Sequence, residues 1–191
     1  MSYKTFMMDM FNKKAASDEN KPDQILEHLR IKQGDYIADL GAGGGYFAAR
    51  FSQIVGPAGH VYALDTNEKN LTILQQRFAE QQLENISTNL IRNSYVDLPE
   101  DSVDLLFSRN VFHHISDPVT FFKNLKPILK KNGHIAIIDY TEKNGFSYGA
   151  IFKHFTPEST IIDSLYDAGF RVDKHYNFLN EQSFNVFVLA T

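Results

Sequence analysis

Four of the chain's eleven glycines crowd into Gly41-Ala42-Gly43-Gly44-Gly45, between an apolar run ending in Asp39-Leu40 and a helical pattern that starts at Tyr46. Without Cβ atoms a backbone can turn sharply and let a ligand approach the main chain closely. The helix that follows would aim its unsatisfied first N–H groups at the same spot. The spacing is G-x-G-x-G, and the third glycine of the dinucleotide pattern G-x-G-x-x-G is replaced by the bulky Tyr46. No Gly-Lys-Ser/Thr follows, so the phosphate loop of nucleotide triphosphatases is absent. Two carboxylates frame the glycines. Asp39 stands two residues ahead, where it would favour a ligand carrying an ammonium group, because charge-assisted hydrogen bonds are the stronger kind. Asp65 closes the next apolar run, where a carboxylate can accept from both hydroxyls of a ribose. Each could equally be a turn or cap residue; the pair around one glycine loop favours an adenosine-type ligand that carries an amine.

A second candidate group is His113-His114. Histidine has the unperturbed pKa of a general base near neutrality. The alternative is that one of the rings packs on, or caps, the helix announced by Ser116-Asp117. Tyr140 follows the fifth apolar run and could line the same region. Two adjacent histidines point in different directions, and no third ligand stands out, so the pattern does not describe a metal site.

These residues need a scaffold that brings strand ends and helix starts together. Short apolar runs at residues 36–40, 60–64, 87–91, 103–108 and 134–139 read as buried strands. Amphipathic stretches alternate with them: Phe47, Ala48, Phe51, Ile54 and Val55; Leu71, Leu74 and Phe78; Phe121, Phe122, Leu125, Ile128 and Leu129. Asp117-Pro118 and Thr156-Pro157 read as an N-cap followed by proline, and Gly169 as a helix stop. Residues 123–131 read as the lysine-rich, solvated face of one helix. Alternation of this kind predicts a parallel sheet with helices on both faces. The last two strands, 170–177 and 184–190, are joined by a short polar loop, so the final strand must run antiparallel. The expected fold is α/β, a Rossmann-like doubly wound sheet of seven strands with an antiparallel last strand. An N-terminal helical or lid segment, 1–34, with a helix at 24–29, precedes the ligand-binding domain, 35–191.

Ile37-Ala38-Asp39-Leu40-Gly41-Ala42-Gly43-Gly44-Gly45-Tyr46-Phe47 and Val55-Gly56-Pro57-Ala58-Gly59-His60-Val61-Tyr62-Ala63-Leu64-Asp65 resemble the first two motifs of class I S-adenosylmethionine-dependent methyltransferases, in the small-molecule branch that includes ubiquinone and menaquinone biosynthesis. Asp97-Leu98-Pro99, Val103-Asp104-Leu105-Leu106, Phe112-His113-His114-Ile115, Leu129-Lys130-Lys131-Asn132-Gly133-His134 and Ala168-Gly169-Phe170 resemble the later motifs, so the similarity spans about residues 24–190. The resemblance implies S-adenosylmethionine as methyl donor and S-adenosylhomocysteine as product. It assigns Gly41, Ala42, Gly43, Gly45 and Tyr46 to the cofactor cradle, Asp39 to the ammonium, Asp65 to the ribose and Thr66 to the adenine side. It assigns Asn93, Ser94 and Tyr95 to the adenine, Ser108 and Arg109 to the methionine end, and commonly a histidine to the position of His114. The family often carries Gly-Asp where Asn93-Ser94 stand, and Ser or Thr at the position of Gly44. The expected consequences are a weaker adenine contact and a more flexible loop.

A sulfonium methyl is an activated electrophile, so alignment and exclusion of water are the main demands, and a base matters only if the acceptor must lose a proton. Residues 1–34, with Phe6, Met7, Met8, Met10 and Phe11, and the loop 140–155 are candidate covers for a partly apolar small-molecule acceptor; the alternative is packing on the sheet or on a second subunit of a homodimer. The absence of cysteine excludes disulfides, thiolate metal sites and a cysteine nucleophile, and disfavours arsenic as acceptor. A net charge of −4 with scattered lysines gives no nucleic-acid footprint. No run approaches the ~20 apolar residues of a membrane span, and a cytoplasmic location is the expectation.

Overall fold

The structure is a computed structural model that describes residues 3–141 and 155–190. Within it the chain forms two compact units, Met1–Arg92 and Asn93–Thr191.

The first unit opens with helix α1 (Tyr3–Ala15) and helix α2 (Pro22–Leu29). Strand β1 (Tyr36–Leu40), helix α3 (Tyr46–Val55), strand β2 (His60–Asp65), helix α4 (Glu68–Glu80) and strand β3 (Ile86–Arg92) follow. The three strands are parallel in the order β3-β2-β1, with Tyr36 opposite His60 and Val61 opposite Ile86. Ile37, Ala38, Val61, Ala63 and Leu64 are fully buried, as strands with both faces covered should be. Helices α3 and α4 pack on these strands with Phe47, Phe51, Val55, Leu71, Leu74 and Phe78, the faces that the apolar spacing predicted.

The second unit starts with the two-residue strand β4 (Tyr95–Val96) and continues with strand β5 (Val103–Arg109), helix α5 (Pro118–Leu125) and strand β6 (Leu129–Tyr140). Helix α6 (Glu158–Asp167) and strands β7 (Phe170–Tyr176) and β8 (Gln182–Leu189) complete it. Strand β5 is parallel to β6, and β8 lies antiparallel between β6 and β7. The short loop between the last two strands forces that reversal, as the sequence required.

Eight strands are present among the described residues, one more than expected, because β4 is too short to leave an apolar pattern. Residues 123–131 are not one helix face. The helix stops at Leu125, Lys126–Ile128 form a single 3-10 turn around Pro127, and Lys130 and Lys131 belong to β6. Asp117 caps α5 as expected, accepting from Thr120 N–H at 3.0 Å. Thr156 does not cap α6; the helix begins one residue later, after Pro157. Gly169 takes the left-handed conformation expected of a helix stop. Most of the loop 140–155 lies outside the described residues.

The end of α3 is held by a residue with no apolar signature. Asn85 accepts from Ser52 Oγ at 2.5 Å and donates to the carbonyls of Ser52 and Gly56 at 2.9 and 2.7 Å. The Ser52 carbonyl also accepts from the Gly56 N–H at 3.2 Å, so Asn85 adds a second donor there and reaches the Gly56 carbonyl just past the helix. Asn85→Ala is expected to cost about 2 kcal/mol, because the Gly56 carbonyl loses this donor and the buried Ser52 hydroxyl loses its acceptor. Urea unfolding measures it, and an unchanged midpoint would mean that water serves these groups instead.

Candidate functional site

In the first unit the chemistry-bearing residues gather at the C-terminal ends of β1 and β2. Asp39 is the last but one residue of β1 and only 2% exposed. Its carboxyl is pushed up to about 7 from 3.8 by burial, against the pull of a hydrogen bond from the Ala48 backbone in the first turn of α3. Among the described residues its Oδ2 has no hydrogen-bond partner. A buried polar atom in that state costs free energy unless something later satisfies it.

The glycine loop follows directly. The N–H groups of Gly41 and Ala42 both donate to the Leu64 carbonyl, at 2.8 and 3.1 Å, which ties the loop to the end of β2. Gly45 precedes α3 with φ +91°, a conformation that side chains disfavour. A Cβ there would stand 2.8 Å from Leu74 Cδ2 and 3.0 Å from Phe78 Cε1 of α4. So Gly45 provides the close helix approach that the dinucleotide pattern assigns to a glycine one position later.

Gly44 has a different neighbour. A Cβ on it would overlap Asn12 Oδ1 and the Met8 carbonyl oxygen of α1, and would stand 2.6 Å from Asn12 Cγ. The loop is therefore not loosened by its extra glycine, as the sequence led us to expect; α1 fills the space that a side chain would take. The Gly44 carbonyl accepts from Asn12 Nδ2 at 2.8 Å and from Arg77 Nη1 at 3.3 Å.

Asp65 closes β2, with Oδ1 accepting from Asn67 N–H at 2.8 Å and Oδ2 from Asn70 Nδ2 at 3.1 Å. The turn role and the ligand role are compatible, because a carboxylate offers about four acceptor positions. Thr66 beside it is exposed.

In the second unit, Asn93 and Ser94 both have left-handed backbones, φ +50° and +60°, and Tyr95 is exposed. This is the conformation of a two-residue turn, which asparagine tolerates better than serine. Ser108 is fully buried near the end of β5, and its Oγ has no partner among the described residues. Arg109 donates from Nη2 to Gln182 Oε1 of β8 at 2.9 Å, and Gln182 donates in turn to Asn110 Oδ1.

After β5 a short 3-10 turn, Phe112–His114, carries the two histidines. Asp139, at 0% exposure, accepts from His113 Nδ1 at 2.7 Å, from His113 N–H at 3.0 Å and from Tyr140 N–H at 2.8 Å. Nδ1 therefore carries the proton, and Nε2 is the basic nitrogen of that ring. His114 is exposed, its ring centroid 4.1 Å from that of His113. A carboxylate thus orients the His113 ring. Asn12, Asp139 and Gln182 all escaped sequence reasoning. For Asp139 a signal existed, since an acidic residue after Ile137-Ile138 at the end of a buried strand is anomalous there.

Residues 31–182 match the model of a family described as a methyltransferase domain. The chain belongs to that family. It is an S-adenosylmethionine-dependent methyltransferase of the class I fold. A demethylmenaquinone methyltransferase of Listeria monocytogenes serotype 4a is 23% identical over 166 residues, 84% of this chain and 67% of the relative. A ubiquinone/menaquinone biosynthesis C-methyltransferase of Saccharophagus degradans is 21% identical over 143 residues, 74% of this chain and 52% of the relative. Among solved structures, an S-adenosylmethionine-dependent methyltransferase of Aquifex aeolicus superposes with TM-score 0.84 at 24% identity, covering 95% of this chain and 98% of that one. No described helix of this methyltransferase is long and apolar enough to cross a membrane.

Asp139→Asn sets an amide NH2 among three N–H donors and should cost about 2 kcal/mol in urea unfolding. Long-range proton–nitrogen NMR of His113 should lose the Nδ1–H tautomer at the same time. Retention of that tautomer would show that Asp139 does not select it.

Proposed function

We propose that this methyltransferase acts on a small, partly apolar acceptor and that Asp39 receives the ammonium of the methyl donor. The buried Oδ2 of Asp39, without a partner among the described residues and beside the glycine loop, carries this reading. Such an atom suits a cationic ligand, and S-adenosylmethionine has an ammonium next to its carboxylate. In the first unit Gly41, Ala42, Gly43, Gly45 and Tyr46 form the cradle for the main-chain approach, with Asp65 toward the ribose and Thr66 toward the adenine. In the second unit Asn93, Ser94 and Tyr95 take the adenine role of the family, and Ser108 and Arg109 the methionine role. The unpartnered Oγ of Ser108 supports that assignment, since a buried hydroxyl needs a partner.

When bound, S-adenosylmethionine supplies a methyl group on a sulfonium that needs no further activation. The chain's own work is to hold and orient. Asp39, once ionised, neutralises the ammonium in a site where water competes poorly. For an acceptor with an acidic proton, His113 is the proposed base: Asp139 fixes its Nδ1–H, so a proton would be taken at Nε2. His114, the other sequence candidate, is exposed beside that ring and is proposed as a neighbour that shapes its surroundings. An apolar acceptor is supported by the exposed Tyr3, Phe6, Met10 and Phe11 of α1, and by relatives named for menaquinone and ubiquinone biosynthesis.

Two measurements test the reading. Methyl-labelled S-adenosylmethionine, incubated with the protein and a fractionated cell extract, should place its label in low-mass, solvent-extractable products. Label confined to protein or RNA would overturn the acceptor class. The second uses pH. Below about 7 the Asp39 carboxyl is protonated in the free protein and must lose its proton to pair with an ammonium, so affinity rises with pH. The amino group of S-adenosylhomocysteine, beside its own carboxylate, holds its proton more tightly than a chain terminus does, so affinity falls again only at alkaline pH. Calorimetry with S-adenosylhomocysteine should give binding roughly fivefold tighter at about pH 7.5 than at about pH 6. Asp39→Asn should flatten the acid limb. A flat wild-type profile over that range would exclude Asp39 as the ammonium partner.

A further inference from the structure

Helix α1 is fastened to the first unit by polar contacts, and they converge on the residues assigned above to the cofactor. Its apolar contribution is slight: Met8 is its one buried residue, while Tyr3, Phe6, Met10 and Phe11 face solvent. A helix with so little buried surface would fray unless something else fixed it. Asn12 fixes it at one end. Its Nδ2 donates to the Gly44 carbonyl at 2.8 Å, and its Oδ1 accepts from Tyr46 N–H at 3.2 Å. The two bonds assign the amide orientation consistently, since a carbonyl needs a donor and an N–H an acceptor. Helix α3 starts after Gly45, which has no side chain to cap it. Asn12 thus serves as the missing N-cap of α3 from a different helix.

Two further contacts hold the rest of α1. Arg77 of α4 pairs with Asp9 at 2.5 Å while also reaching the Gly44 carbonyl. In the first turn, Lys4 Nζ donates to Asn67 Oδ1 at 3.0 Å, and the N–H of Asn67 donates to Asp65. One end of α1 therefore braces the glycine loop, and the other braces the neighbour of the ribose carboxylate. Gly44 leaves room for this and for nothing more, because any Cβ there would strike the α1 backbone at Met8.

We infer that Asn12 is a positioning residue for the cofactor site, and that docking of α1 and binding of the adenosyl ligand are coupled. The coupling follows from linkage: a ligand that fixes the loop in the shape Asn12 requires must favour docked α1, and docked α1 must favour the ligand by the same factor. The inference rests on the cofactor reading above.

Hydrogen exchange of the unmodified protein tests it without risk to folding. Saturating S-adenosylhomocysteine should slow exchange in residues 3–15 at least threefold. Asn12→Ala should weaken S-adenosylhomocysteine about tenfold in calorimetry and raise KM for S-adenosylmethionine, with kcat held within about twofold; about tenfold is one shared hydrogen-bonded contact. Asn12→Asp keeps the acceptor for Tyr46 N–H but turns an acceptor toward the Gly44 carbonyl, so it should weaken binding as much. Lys13→Ala, on the exposed side of the same helix, should leave affinity unchanged. Binding with unaltered exchange in residues 3–15, or with unaltered affinity in both Asn12 variants, would overturn the inference alone. Absence of binding by the unmodified protein would overturn it together with the cofactor reading.

Discussion

The first unit depends on two adjacent positions that carry no side chain. Gly45 allows α4 to approach, with Leu74 and Phe78 at contact distance from where a Cβ would be. Gly44 allows α1 to approach from Asn12 and Met8. The main chain between β1 and α3 is thus gripped by two helices, and neither could stay where it is if the loop carried ordinary side chains. While α1 is docked, that grip holds the loop in one shape. A glycine-rich segment left to itself would pay a large ordering entropy on binding, because glycine has the most conformational freedom to lose. Packing α1 and α4 onto it spends that entropy during folding.

Asp39 poses the opposite problem. Its carboxyl sits near the end of a strand among the buried, apolar Ile37, Ala38 and Leu40, and burial raises its pKa from 3.8 to about 7. A carboxyl that ionises less readily in the fold than in the unfolded chain makes the native state less stable as pH rises from about 4 through about 7. The chain carries this handicap at neutral pH with no visible structural return, since α3 needs only one of the two oxygens. Local conflict of that kind is expected where function rather than stability selects the residue. Ser108 in the second unit shows the same signature in milder form, a buried hydroxyl with no partner among the described residues.

The sequence disclosed what has a period or a punctuation mark. Strand runs such as Tyr36–Leu40, the helix faces of α3, α4 and α5, the Asp117-Pro118 cap and the antiparallel ending all follow from spacing and turn chemistry, and the structure has them. What it concealed are polar contacts between residues far apart in the chain. Asn85 on the end of α3, Asp139 behind His113, Gln182 between Arg109 and Asn110, and Asn12 on the glycine loop are all of this type. A single carboxamide has no periodicity, and its partner is set only once the fold exists. Helix α1 was hidden for a related reason. Its apolar residues face solvent as often as protein, so the stripe that marks a packed helix is absent. Residues 123–131 misled in the other direction, since proline at position 127 ends the helix that their charge pattern suggested.

Gly44 has a different meaning in the fold from the one it has in the sequence. As a departure from a family that often carries Ser or Thr, it looked like a lost contact. In the fold, the contact is present but supplied by Asn12, which gives the loop a donor at Gly44 and an acceptor at Tyr46. A side chain on the loop would act locally, within the residue that bears it. The same hydrogen bonds delivered from α1 make the shape of the loop conditional on a separate element with little buried surface of its own. Such elements sit at the low-stability end of a structure and open most readily. The exchange of a serine or threonine for a glycine plus a distant asparagine therefore moves control of the loop from the loop itself to the docking equilibrium of α1.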